Sequence, residues 1–181
     1  KELNFILNKL HKLLIYMKNN TKFKTADICD IHSDDLIIMH QQFNSYGKID
    51  SFCGQISTIK CFNDNSKVRE AVNSDGCNKV LVVDGNASTD CALLGDMLAE
   101  AAFKNNWSGI IINGCIRDSD VISGIGVGVF ALSTIPVKSV KKDIGDTDIE
   151  ISFMNTKFIP GEYIYADLDG IIISKKELDL K

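Results

Sequence analysis

Between Thr25 and Ser174 the apolar positions change period several times, and each change marks an element. Phe52 to Cys61 alternates and is rich in β-branched residues, which predicts a strand. Asp64-Asn-Ser66 then caps a helix through about Asn73, and Ser74-Asp-Gly76 makes a turn. Lys79 to Asp84 carries four consecutive apolar residues, as a strand buried on both faces does, and ends in Gly85-Asn86. Leu93, Leu94, Met97, Leu98, Ala101 and Ala102 recur at helical spacing and predict a helix over residues 92–105. Trp107 to Asn113 contains the next buried strand, and Asp118-Ser-Asp120 opens a short helix. Gly124 to Ala131 is a tight turn running into a strand. Thr25-Ala-Asp27 starts a helix whose continuation at Ile37-Ile-Met39 reads as helix or strand.

Lys138 to Asp148 is charged and loop-like. Ile149 to Ser174 shows short alternating strands broken at Pro160-Gly161 and Asp169-Gly170. Helices early and strands late give one mixed α/β domain over residues 21–181. Residues 1–20 stand apart. Leu3, Ile6, Leu7, Leu10, Leu13 and Leu14 form an amphipathic stripe without a small-residue cleavage site, read as an accessory helix or a leader.

Composition narrows the functional classes. Of 181 residues, 45% are hydrophobic and 24% charged, as in an ordinary globular domain. The net charge of −4 and the lack of a basic block argue against direct nucleic-acid binding. No apolar run approaches the ~20 residues of a membrane span. Six cysteines without a CxxC pair, beside three histidines, argue against a zinc site and for reduced thiols in the cytoplasm. The Gly-x-Gly-x-Gly at 124–128 is not followed by a helical run, which argues against a dinucleotide loop.

The candidate chemistry lies after two strands. Val83-Asp84-Gly85, with Gly95 to Leu98 beyond it, follows the first, and Asn113 to Asp118 follows the second. In open α/β sheets ligands gather at such carboxyl ends. Asp118 is a hard oxygen donor suited to Mg²⁺ or Mn²⁺. Arg117 is a permanent cation with a fork of donors for a carboxylate or oxyanion. Asp96 can hold a water or move a proton. Amides of Gly95, Asp96, Met97 and Leu98 at a helix start would favour a substrate carboxylate. Against this stands the plain reading that an Arg-Asp pair at a strand end is a cap or surface ion pair. His32 and His40 read as ordinary surface or core residues.

The stretches TADICDIH, FCGQISTIKCFNDNSKVREAV, KVLVVDG, ALLGDMLAEAAFKNNWSGIIINGCIRDSD, IGDTDIEISF and PGEYIYADLDGIII resemble the RraA-like family, named for regulator of ribonuclease activity A. The resemblance implies a compact β/β/α swivelling-type domain and a ring-shaped homotrimer with its site at the subunit interface. Members that cleave 4-hydroxy-4-methyl-2-oxoglutarate to two pyruvates, and decarboxylate oxaloacetate, carry an Asp, twenty intervening residues, then Arg-Asp. Asp96, residues 97–116 and Arg117-Asp118 match that pattern. The resemblance thus implies that Gly95 to Leu98 and Arg117 bind substrate, that Asp118 holds Mg²⁺ or Mn²⁺, and that Asp96 acts through a water.

One departure stands out. Similar proteins read VDGGGS followed by a nearby Arg, whereas here Asn86 and Ala87 replace glycines and Asp90 stands near the usual Arg. The expected place of this loop is the site mouth or the trimer seam. The alternative function implied by the family is a protein-binding inhibitor of an RNase E-type endoribonuclease. An older reading as a demethylmenaquinone methyltransferase finds no glycine loop to support it.

Overall fold

A computed structural model describes residues 23–40 and 43–180. The chain begins there with helix α1 (Thr25–His32), a short 3₁₀ turn and strand β1 (Leu36–Met39), then β2 (Asn44–Ser45) and β3 (Phe52–Lys60). Three crossovers follow: α2 (Ser66–Val72) into β4 (Val80–Leu94), α3 (Asp96–Lys104) into β5 (Gly109–Ile116), and α4 (Ser119–Ile122) into β6 (Gly128–Thr134). The remaining strands are β7 (Asp146–Thr147), β8 (Ile151–Phe153), β9 (Thr156–Phe158), β10 (Tyr163–Ala166) and β11 (Ile171–Ser174).

Among the described residues the main sheet runs β1-β11-β10-β3-β4-β5-β6-β2, with β7 on β3. Its β3-β4-β5-β6 centre is parallel, because each link passes through a helix, and its flanks are antiparallel. Alternation along the central strands divides the core. Leu81, Val83, Ile110, Ile112 and Val129 face Val68, Val72, Ala99, Ala102 and Ile122 of the helices. Val80, Val82, Ile111 and Phe130 face Phe153 and Phe158 of the β8–β9 hairpin. The molecule is a mixed α/β domain with helices on one face of a large sheet and strands on the other.

Three expectations need correction. Helix α3 begins at Asp96 rather than Ala92, because Ala92 and Leu94 continue β4 against Cys115 and Ile116. The apolar stripe at 93–94 is therefore strand core. Strand β5 likewise runs past Asn113 to Ile116. At α1 the Thr25 hydroxyl does not cap its own helix. Thr25 donates from its amide and its hydroxyl to Asp167, at 2.7 and 2.6 Å, so the cap comes from the β10–β11 turn. The Ile37-Ile-Met39 segment is strand β1, paired with β11. All six cysteines are free thiols, and Cys61, Cys91 and Cys115 are buried. Residues 1–20 lie outside the described residues.

Asp64 fastens the charged 138–148 loop to this frame. It is fully buried, and its carboxylate accepts the amides of Ser66 (2.7 Å), Lys142 (2.7 Å) and Ile144 (3.1 Å). Burial pushes its pKa up, but the Ser66 hydroxyl and these amides outweigh that and bring it down to about 2. A folded-state pKa below the unfolded value stabilises the fold above the unfolded pKa, and that stability is lost as pH falls from 3.8 through about 2. Asp64→Ala, which orphans three amides, should cost about 2–4 kcal/mol in urea unfolding near neutral pH. It should also flatten the acid limb between those two pH values, and an unchanged acid limb would contradict the assignment.

Candidate active site

Strands β4 and β5 end side by side, Leu94 against Ile116, and the next residues of each build the site. The Arg117 amide donates to the Leu94 carbonyl at 3.0 Å, which sets Arg117 and Asp118 against Gly95. Gly95 is extended and precedes α3, whose first residue is Asp96. Asp118 adopts a left-handed conformation (φ 56°, ψ 38°) at the start of α4, which Asp tolerates better than most residues. That turn folds its carboxylate back, and Asp118 Oδ2 lies 3.2 Å from Arg117 Nε. The pair is half-buried. Among the described residues it uses only Nε of the guanidinium, which leaves the two terminal nitrogens available to a ligand.

A cleft of about 250 Å³ lies at this junction, lined by Leu94 to Leu98 and Arg117 together with residues from α2 and the 138–141 segment. The structure thus brings Gly95, Asp96, Met97, Leu98 and Arg117 to one cavity, and Asp118 sits beside it through its contact with Arg117. Two of the four amides are already used. The Met97 amide donates to Asp96 Oδ1 at 2.7 Å and the Leu98 amide to the Gly95 carbonyl at 3.1 Å. The donors that this turn leaves to an anionic ligand are therefore the Gly95 and Asp96 amides and Arg117, rather than the whole turn. Met97 is 80% exposed and offers its side chain to the surroundings of the cleft.

Gly95 lets the ion pair approach the backbone closely. A Cβ there would lie 2.9 Å from Asp118 Oδ2 and 3.2 Å from Arg117 Nε. Gly95→Ala should therefore prise the pair apart and lower turnover by about tenfold or more, a misplacement effect, with little change in unfolding midpoint. Wild-type turnover in that variant would show that the close approach is not functional.

Of two features expected near the cleft, one lies elsewhere and the other does not line it within this chain. Asp84 is buried, accepting from Asn113 Nδ2 and the Asn86 amide, each at 2.9 Å, and is not part of the lining. The 86–90 loop does not line the cleft within this chain either. Its Asp90 accepts from Asn63 Nδ2 at 2.8 Å, and Ser88 donates to Asn63 Oδ1. Sequence reasoning missed Asn65, Arg69, Lys138, Ser139 and Lys141, which also line the cleft. They arrive because the Ala92 amide donates to the Val137 carbonyl at 2.8 Å and Asp64 holds the loop. Only the density of lysines at 138–142 hinted at them.

Among the described residues no three His, Cys, Asp or Glu side chains converge as a metal cage. The donor set fits a water-rich ion instead: among the described residues only Oδ2 of Asp118 is paired, with Arg117, and Asp96 opens the adjoining helix. Mg²⁺ and Mn²⁺ accept one or two carboxylates and otherwise waters.

Comparison with known proteins agrees on the lineage. The RraA-like family profile, described as Aldolase/RraA, matches residues 25–173. A Pseudomonas putida protein named "Putative 4-hydroxy-4-methyl-2-oxoglutarate aldolase" is 51% identical over 87% of this chain and 97% of its own length. A protein of the same name from Aromatoleum aromaticum is 50% identical over 87% and 99%. A Geobacillus kaustophilus structure, described as an S-adenosylmethionine:2-dimethylmenaquinone methyltransferase, superposes with TM-score 0.85 at 45% identity, covering 86% of this chain and 97% of that one. The RNA-processing inhibitor RraA from Thermus thermophilus superposes with TM-score 0.84 at 30% identity, covering 88% and 96%.

Proposed function

The chain belongs to the RraA-like family, and on that premise we propose that it is a carbon–carbon lyase for 2-oxo acids. It would cleave 4-hydroxy-4-methyl-2-oxoglutarate to two pyruvates and decarboxylate oxaloacetate. The observation that carries this reading is the convergence of Gly95, Asp96 and Arg117 on one small cleft, with Asp118 paired to Arg117 at its edge. The names of the relatives at about half identity support it.

Both reactions pass through the enolate of pyruvate, so one site serves both. In the retro-aldol step the 4-hydroxyl loses its proton and the C3–C4 bond breaks. The C4 fragment becomes pyruvate, and the electron pair passes into the enolate of the other fragment. Protonation at C3 gives the second pyruvate. Oxaloacetate loses CO₂ from the same position and is protonated at the same carbon. Arg117 donates to the substrate oxygen on which charge gathers, and the Gly95 and Asp96 amides hold the neighbouring carboxylate. Asp96, through a water, takes the hydroxyl proton and returns one to C3. Asp118 would hold Mg²⁺ or Mn²⁺, which polarises the 2-oxo group.

The family resemblance supports a homotrimer with this cleft at the subunit seam, where the exposed Met97 would meet a neighbour. A second reading, binding to an endoribonuclease, is favoured by the likeness to the Thermus inhibitor and is compatible with the first. A methyltransferase activity does not carry over from the Geobacillus protein, because Gly124 to Gly128 leads into β6 and not into a helix. The test is pyruvate release from oxaloacetate and from 4-hydroxy-4-methyl-2-oxoglutarate with Mg²⁺ or Mn²⁺ and after chelation. Release with metal and none with chelator is expected. No release from either substrate with either metal would refute the lyase reading.

A further inference from the structure

The flank of the sheet where the described chain begins is thinly covered. Over the parallel centre three helices bury a continuous core. Over β10, β11 and β1 the cover is α1 with Leu178 and Leu180, and only Ile28, Tyr165 and Ile172 are buried in that cluster. Ile38 pairs with Ile172 and so shares that face of the sheet, yet it is 44% exposed on the outermost strand. Ile31, one turn along α1 from Ile28, is 73% exposed. Leu168, next to the Asp167 that caps α1, is 65% exposed. None of the three lines the cleft. The same flank is acidic. Asp27, Asp30, Asp34 and Asp35 are exposed, and among the described residues none of them is in an ion pair.

The described chain enters at this flank. Phe23 packs edge-on against Tyr165 with ring centres 5.7 Å apart, and Thr25 is fastened to Asp167. What precedes Phe23 in the sequence has the complementary character. Residues 1–22 carry five lysines against one glutamate, and Leu3, Ile6, Leu7, Leu10, Leu13 and Leu14 fall on one side at helical spacing. We propose that this stripe docks as an amphipathic helix on the flank formed by Ile31, Ile38 and Leu168, with its lysines over the α1 aspartates. The proposal is independent of the lyase reading. Twelve residues as a helix cover ~18 Å, and the eight residues 15–22 can span up to ~26 Å, enough for the stripe to fold back. The tether raises its effective concentration to the order of millimolar, so a contact too weak to hold a separate peptide suffices. A Lys-rich apolar stripe also suits an anionic lipid surface, but there the four aspartates beside it would be repelled. A second copy would have to offer the same stripe without the tether.

Limited trypsin digestion of the full chain, followed by mass spectrometry, reads the docking at the Lys9–Leu10 and Lys12–Leu13 bonds. Cleavage there follows the population of the undocked form, so the wild type should be cut at least about tenfold more slowly than a synthetic peptide of residues 1–22. Ile31→Asp with Ile38→Asp should raise the rate to that of the peptide. Both side chains are exposed, so the fold should persist, as an unchanged near-UV circular dichroism spectrum would verify. Leu7→Asp with Leu10→Asp alters nothing in the described domain and supplies the second arm. In that variant the amides of α1 and β1 should exchange with deuterated water faster than in the wild type. Peptide-like cleavage of the wild type, or shielding and slow exchange that survive both double variants, overturns the proposal. So does protection that grows with protein concentration, which would seat a second copy on the flank. Protection that appears only with phosphatidylserine vesicles overturns it as well, because the stripe would then lie in lipid.

Discussion

Replacing Arg117 by Ala is expected to lower metal-dependent pyruvate release from oxaloacetate by ~10²–10³-fold, the usual cost of removing one donor to a developing oxyanion. Arg117 is placed for this by backbone and side chain together. Its amide is fixed on the Leu94 carbonyl, and its Nε is fixed 3.2 Å from Asp118 Oδ2. The guanidinium plane is held while two nitrogens remain for substrate. Lys cannot satisfy both demands, because it has one nitrogen where Arg has three, so Arg117→Lys should recover little of the loss. Asp118→Asn is the companion variant. Asn also tolerates the left-handed backbone at this position, so the α4 start should survive the change. What it removes is the charge that would hold the metal and orient Arg117. The expected result is a higher metal requirement, read as activity against Mg²⁺ concentration, with an unchanged unfolding midpoint. Wild-type turnover in both variants would refute the site assignment even if the activity stood.

How far the sequence discloses this site follows from where the chain is locally consistent. The strands at 80–83 and 109–113 are continuous apolar runs, and they could be read because burial on both faces needs no partner to be known. The Asp96, Arg117 and Asp118 set was legible through the family resemblance. Its spacing alone could equally have been a cap. The start of α3 was misread because Leu93 and Leu94 fit a helical stripe and a strand core equally well. The decision belongs to Cys115 and Ile116, which pair with that segment from over twenty residues away. Arg69, Lys138 and Lys141 were not legible for a stronger reason. Their meeting depends on Asp64 and Ala92 capturing a loop that carries no periodicity of its own.

The altered turn after β4's first half has a physical cost that the sequence only half reveals. Asn86 and Ala87 both have positive φ, 56° and 52°, where glycines would be unstrained. Asn accepts that conformation more readily than Ala, and the Asn63 network with Ser88 and Asp90 holds the turn in place. Within this chain the loop stays out of the cleft lining, so the substitution does not touch the groups assigned to chemistry in the same chain.

Asp96→Asn should give a loss of the same order or larger, ~10²–10⁴-fold, the contribution of a positioned proton-transfer group. The substitution is nearly isosteric. The Asp96 Oδ1 that accepts the Met97 amide at 2.7 Å has an equivalent in the Asn carbonyl oxygen, so the first turn of α3 should persist. Gly95 still accepts from the Leu98 and Ala99 amides, and the cleft lining is preserved. An amide cannot take the 4-hydroxyl proton or relay one to C3, so both halves of the proton traffic should fail together. Two readouts separate this from a structural effect. Exchange of the pyruvate methyl protons with deuterated water, followed by NMR, should slow in step with pyruvate release from 4-hydroxy-4-methyl-2-oxoglutarate. The metal requirement, unlike that of Asp118→Asn, should stay where it is. Methyl exchange at the wild-type rate in Asp96→Asn would assign the proton transfer to another group, and a raised metal requirement would make Asp96 a ligand instead.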